Sequence, residues 1–244
     1  MKILKSIIFA LGIAFLSTFY LSCSKSIPQV APFQTNLSSV ATVQVFSATV
    51  KATRNYVYVD GVPVSGAALA AGGVFPGTAY SFVVAPGSRS FLIKDTLITS
   101  AQTPLNFSQN FDAGKSYTIF TYDTITAVKQ VTVLNNIVVP KDTTSMLRFA
   151  NFIYNATPAG NVDVYSFRKG NSAPVFSNVA NNQVTDFIPS ASGSTDTLYV
   201  YATGTTTPLL VKAAVPGLVP TRSYTAAYNG SYRGKNTIST FATY

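Results

Sequence analysis

The stretch "NYVYVDGVPV" at residues 55–64 places Val57 and Val59 on one side of an extended chain and Tyr56 and Tyr58 on the other. It turns at Asp60-Gly61, a dipeptide that accepts the left-handed conformations of a tight hairpin. Comparable short segments, alternating or apolar, continue from Val40 to the last residues, broken at Pro76-Gly77, Pro86-Gly87, Ala113-Gly114, Asn135-Asn136, Pro216-Gly217 and Asn229-Gly230. That spacing predicts an all-β sandwich architecture. The helix-like stretch Ala67 to Ala71 is too short to stand alone and runs into Gly72-Gly73, so it reads as a loop.

Composition agrees. The chain has 244 residues and is 47% apolar, enough for a substantial core. Only 10% is charged, and its eight acidic residues are all Asp. A major residue of exposed helices is therefore missing, while β-branched and aromatic residues abound. The formal charge is +9, or +7 once Lys2 and Lys5 are removed with an amino-terminal segment. No dense basic run remains, so a nucleic-acid partner is not expected; scattered lysines on strand edges are explained by protection against edge pairing.

The chain also repeats. "ATVQVFSA" (41–48) matches "SMLRFANF" (145–152), "YVYVDG" (56–61) matches "DVYSFR" (163–168), and "KSYTIFTYD" (115–123) matches "TRSYTAAYNG" (221–230). The near-constant offset predicts two related domains, at 39–142 and 143–244, joined at "VVPKDTT" (138–144). Each is expected to carry its own core and to fold alone. The copies sort the strand faces: Val57, Val59, Val164 and Ser166 fall on the core side, while Tyr56, Tyr58, Asp163 and Tyr165 fall on a partly wet side. Tyr56, Tyr58 and Tyr165 are the candidate contacts for a sugar or a protein partner, against a plainer role in covering the sheet or packing on the neighbouring domain.

"NYVYVDGVPV" and "GNVDVYSF" (160–167) resemble the signature of the bacterial domain of unknown function 4397, a sandwich module of exported proteins that often occurs in tandem. "TAYSFVVAPGSRSFLI" (78–93) is similar to the strand, Pro-Gly turn and strand of that family. The resemblance implies two tandem immunoglobulin-like or transthyretin-like β-sandwich domains and an exported location, with no activity attached. The second copy has Phe167-Arg168 in place of Asp60-Gly61, which predicts a longer turn there.

The amino terminus reads as a lipoprotein signal peptide, residues 1–22: a basic start, the apolar run Ile7 to Leu16, then small residues. A run of that length is shorter than the roughly 20 residues of a membrane span. Tyr20-Leu21-Ser22-Cys23 resembles a bacterial lipobox, which makes Cys23, the chain's single cysteine, the lipid attachment point. No disulfide partner exists for it, and acylation removes an exposed thiol. Residues 23–38 then form the lipidated cysteine and a flexible tether, and Ser24 resembles a signal for the outer membrane. Among bacterial sources, Bacteroidota-like organisms fit the composition best.

Catalytic constellations are missing. There is no histidine, which excludes a Ser-His-Asp triad and His-ligated zinc. "SFRK" (166–169) fits Ser-x-x-Lys but lies on a predicted strand, and "AGKS" (113–116) lacks the first glycine of a phosphate loop. No cofactor and no metal is implied, and the expected role is a non-catalytic cell-envelope binding or structural module. The alternative is a fimbrillin-like pilus or adhesin subunit that assembles by strand donation.

Four of the eight Asp residues precede Thr, at Thr96, Thr124, Thr143 and Thr197. The pattern resembles the O-glycan acceptor of exported Bacteroidota proteins; turn capping by Asp is the plainer account. Thr96 and Thr197 are expected at comparable places in the two copies, as shared ancestry would leave them.

Cys23→Ala should release the mature chain from the membrane fraction or leave an unprocessed precursor. Mutant and wild-type protein that fractionate and migrate alike would exclude the anchor. The intact mass of native protein checks the sugars: polypeptide plus lipid alone would exclude them.

Overall fold

In a computed structural model, residues 36–155 and 160–243 are described, and they form two sandwich-like lobes of almost pure β structure. The expected signal peptide, Cys23 and the tether up to Thr35 lie outside the described residues. The first lobe comprises β1 (Ala41–Ser47), β2 (Asn55–Val59), β3 (Val62–Pro63), β4 (Val74–Phe75), β5 (Phe82–Val84), β6 (Gly87–Asp95), β7 (Leu105–Phe111), β8 (Ser116–Tyr122) and β9 (Lys129–Leu134). The second comprises β10 (Ser145–Tyr154), β11 (Val162–Ser166), β12 (Phe176–Val179), β13 (Gln183–Val184), β14 (Ile188–Ser190), β15 (Asp196–Ala202), β16 (Val211–Val215), β17 (Ser223–Ser231) and β18 (Asn236–Thr243).

The lobes share one topology. Each has a five-stranded sheet, β4-β1-β8-β9 with β5 also on β1, and β13-β10-β17-β18 with β14 also on β10. Each has a four-stranded sheet, β3-β2-β6-β7 and β12-β11-β15-β16. The pairings are antiparallel except between β1 and β8 and between β10 and β17. Register repeats as well: Val43 faces Tyr117 as Leu147 faces Tyr224, and Val57 faces Ile93 as Val164 faces Val200. The Pro86-Gly87 corner is a crossover, since β5 belongs to one sheet and β6 to the other.

The turns differ as their residues require. Asp60 and Gly61 have φ of 49° and 81°, which a two-residue hairpin between β2 and β3 needs. In the second lobe a 3-10 turn at Phe167–Lys169, closed by Gly170 at φ 79°, replaces it and lengthens the loop to β12.

Each lobe has its own core. Val43, Val45, Val57, Phe91, Ile93 and Ile119 fill the first, and Leu147, Phe149, Val164, Leu198, Val200 and Tyr228 the second. A third cluster lies between the lobes: Phe46, Ala48 and Phe120 from one, Ala150, Phe152, Ala227 and Phe241 from the other. β1, β8, β10 and β17 are therefore buried on both faces. Odd residues of β1 and β8 point into their own lobe and even residues towards the other lobe. Phe120 stacks on Phe152 with centroids 4.6 Å apart, and Phe46 on Phe241 at 5.3 Å; each such pair adds about 0.5–1.5 kcal/mol to the area it buries.

Two polar side chains cross this interface from equivalent positions. Gln44 Nε2 donates to the Tyr80 carbonyl at 2.8 Å and, in the other lobe, to the Ala242 carbonyl at 2.9 Å. Arg148 donates across to Asn135 Oδ1 at 2.7 Å and Thr118 Oγ1 at 3.2 Å, and within its lobe to Thr225 Oγ1 at 2.8 Å. Its guanidinium also lies 4.8 Å from the Phe187 ring centroid. Burial, with no carboxylate in reach among the described residues, lowers its pKa to about 9, so it remains a cation at neutral pH. Three hydrogen bonds and an aromatic face offset its lost hydration.

The halves 39–142 and 143–244 each have a core, yet each leaves one apolar sheet face uncovered. Expressed as separate chains, they should assemble one to one when mixed. Phe152→Ala should lower the stability of the whole chain by about 3–5 kcal/mol and abolish assembly of the halves, measured by denaturant unfolding and size-exclusion chromatography.

Candidate functional site

The solvent-facing surfaces of the two four-stranded sheets carry the candidate contacts. Val57 is fully buried and Val59 nearly so, which turns Tyr56 and Tyr58 outward as half-buried rings. Register places Tyr58 beside Leu92 and Pro63, and Tyr56 beside Lys94. Lys94 Nζ lies 5.2 Å from the Tyr58 centroid, a cation-π contact. Beyond them the face continues in exposed Ser88, Ser90, Asn106, Ser108 and Asn110. It is almost free of charge.

In the second lobe Tyr165 lies beside Tyr199, and Tyr199 beside Lys212, giving a row across three strands. At about 4.8 Å per strand the row is about 10 Å wide. Tyr201 meets Tyr165 edge-on, with centroids 5.7 Å apart. The three rings are half-buried and Lys212 is exposed. Tyr199 and Tyr201 are site residues missed in the repeat comparison, although "LYVYA" (198–202) alternates just as "NYVYV" does. Asp163, assigned above to the wet side, is instead only 5% exposed. Backbone N–H groups of Asn178 and Gly204 donate to its carboxylate at 2.7 and 2.8 Å, making it a fastener for two loops. The sheet thus unites Tyr165 with two further tyrosines, while Tyr56 and Tyr58 form a separate cluster in the first lobe.

The Asp-Thr sites divide. Thr96 and Thr143 are exposed, and Thr124 and Thr197 half-buried. At all four the Asp carboxylate accepts a backbone N–H just downstream: Leu97 for Asp95, Thr124 for Asp123, Thr144 for Asp142 and Thr197 for Asp196. Each Asp therefore caps its own turn, and Thr96 and Thr143 are left open to solvent. Thr96 follows the end of β6, whereas Thr197 lies at the start of β15. They occupy opposite ends of equivalent strands, which corrects the expectation that shared ancestry placed them alike.

Beside Tyr58 is a groove of about 470 Å³, lined also by Lys94, Thr96, Ile98, Ser100 and Gln102. Its wall is tied by the Arg54–Asp95 ion pair at 3.1 Å. Among the described residues no three of His, Cys, Asp or Glu are grouped to hold a metal ion, and no helix is long and apolar enough to cross a membrane. No protein-family model and no curated protein matches the chain.

The Arg54 guanidinium, helped by the Leu97 N–H and the Ser100 hydroxyl, holds the Asp95 carboxyl at about 2. Because the folded value is depressed, the stabilisation is complete above about pH 4, the unfolded value, and is lost as pH falls towards 2. Arg54 is half exposed, so solvent screens the pair and its contribution is small. Arg54→Gln should lower the stability slightly at pH 7 and flatten the acid dependence between pH 4 and 2, measured by urea unfolding.

Proposed function

We propose that this chain is a non-catalytic outer-membrane lipoprotein, anchored through Cys23, whose tyrosine-bearing sheet faces bind a glycan of the cell envelope. The observation that carries this reading is the row Tyr165, Tyr199 and Lys212, with Tyr201 edge-on behind it. Half-exposed rings offer flat apolar faces to the C–H side of a sugar, and their hydroxyls and the lysine offer hydrogen bonds at its rim. A rigid sheet holds the rings at fixed spacing, so little conformational entropy is lost on binding. Tyr56, Tyr58 and Lys94 form a second, smaller contact in the first lobe. Exposed Thr96 and Thr143 are the acceptors we assign to O-glycosylation. The reading as a tandem of domain-of-unknown-function-4397-like modules rests on the residues quoted for it.

A second reading, a fimbrillin-like subunit joined by strand donation, draws on one observation. β7, "LNFSQNF", ends its sheet as a seven-residue edge strand without a charge or a proline. Such an edge is a template for an added strand.

On an array of envelope glycans, the full chain in detergent should retain at least one saccharide, and Tyr199→Ala should weaken that binding about tenfold without changing thermal stability. An empty array would remove glycan as the ligand.

A further inference from the structure

Equivalent elements of the two lobes build two clefts at the interface between them, and Tyr154 lines both. The smaller, about 440 Å³, is lined by Tyr122, Asp123, Lys129, Asn155 and Asn182. The larger, about 1000 Å³, is lined by Lys51, Tyr154, Asn229, Lys235, Thr237 and Ser239. Lys51 follows β1 as Asn155 follows β10, and the β17–β18 hairpin of the larger cleft corresponds to the β8–β9 hairpin of the smaller. The smaller cleft therefore serves as an internal control for the larger.

In the smaller cleft the charge is satisfied from within: Lys129 Nζ donates to Asp123 Oδ2 at 2.8 Å. Register shows what replaces that pair in the other lobe. Tyr122 faces Lys129 as Asn229 faces Thr237, so Gly230 occupies the place of Asp123 and Thr237 that of Lys129, and both members of the pair are absent from the larger cleft. A side chain is not admitted there, because a Cβ on Gly230 would clash with the Lys235 carbonyl oxygen, and its φ is 100°. The larger cleft instead has two cations at other positions, Lys51 and Lys235, and none of the described residues lining it is acidic. Neither lysine has an ion pair among the described residues. Lys51 is held at φ 68°, a left-handed conformation uncommon outside glycine.

Two uncompensated lysines call for an anion, but the cleft is far larger than a lone anion and its wall is rich in hydroxyl and amide groups. We propose that the larger interlobe cleft binds an acidic oligosaccharide, whose carboxylate or sulfate groups pair with Lys51 and Lys235 and whose hydroxyls meet Asn229, Thr237 and Ser239. The site shares no residue with the tyrosine faces and does not depend on them.

The test is calorimetric titration of the full chain in detergent with trigalacturonate and a chondroitin sulfate tetrasaccharide. Maltotriose, trigalacturonate methyl ester and inorganic sulfate are the controls. At least one acidic probe should bind, the neutral probes and free sulfate should not, and Lys51→Gln with Lys235→Gln should weaken binding about tenfold or more. Raising the salt should weaken it as well. Both lysines are exposed, so the double variant should unfold at the wild-type temperature. Tyr199→Ala should leave this binding intact while reducing that of the sheet-face ligand. Three outcomes overturn the proposal: no binding of either acidic probe, binding indifferent to the two lysines, or equal binding of free sulfate.

Discussion

The structure depends on the packing of one sheet of each lobe against its counterpart. Phe46, Phe120, Phe152 and Phe241 are each at most 2% exposed, and each is buried in the cluster that joins the two lobes. Fully burying such rings contributes about 1.5–3 kcal/mol each. β1, β8, β10 and β17 consequently act as central layers of a single four-layer stack. Their neighbours need only one buried face, and the four-stranded sheets are left with an outer surface free for other uses.

Polar groups at the centre of this stack set its register. Apolar sheet faces slide past one another at little cost, whereas a buried amide or guanidinium has few places to donate. Gln44 and Arg148 each bond to the opposite lobe, so a shift along the strands would strand a donor. Arg148 is the costlier of the two, since it carries a charge out of water with no carboxylate among the described residues to meet it. The polar groups it binds also satisfy one another: Thr118 donates to Asn135 Oδ1 at 3.0 Å, and Thr225 bonds Thr243 at 2.7 Å.

Much of this was legible in the residues. The Val57/Tyr58 alternation assigned core and solvent faces correctly, Asp60-Gly61 marked a tight hairpin, and its absence from the second copy marked a longer loop. The repeat was visible because equivalent core positions retain apolar residues at nearly constant spacing. What could not be read was the second buried face of β1, β8, β10 and β17. In "TVQVFS" and "LRFANF" a glutamine, an arginine and an asparagine interrupt the apolar run, and nothing local distinguishes an exposed polar residue from one buried with partners on distant strands and loops. Asp163 was misread for the same reason, as its partners come from loops 15 and 41 residues on. The interlobe clefts were invisible because they exist only where two distant hairpins meet.

The pairing of Gln44 with Arg148 at equivalent positions has one more consequence. In a dimer of identical modules every interface residue occurs twice, so a change that suits one side is imposed on the other. A covalent duplex is free of that rule. One lobe can hold a neutral amide where the other holds a cation, and one hairpin can hold an aspartate where the other has only a glycine. Tandem fusion therefore does more here than raise the local concentration of two partners: it permits a symmetric scaffold to have unlike ends.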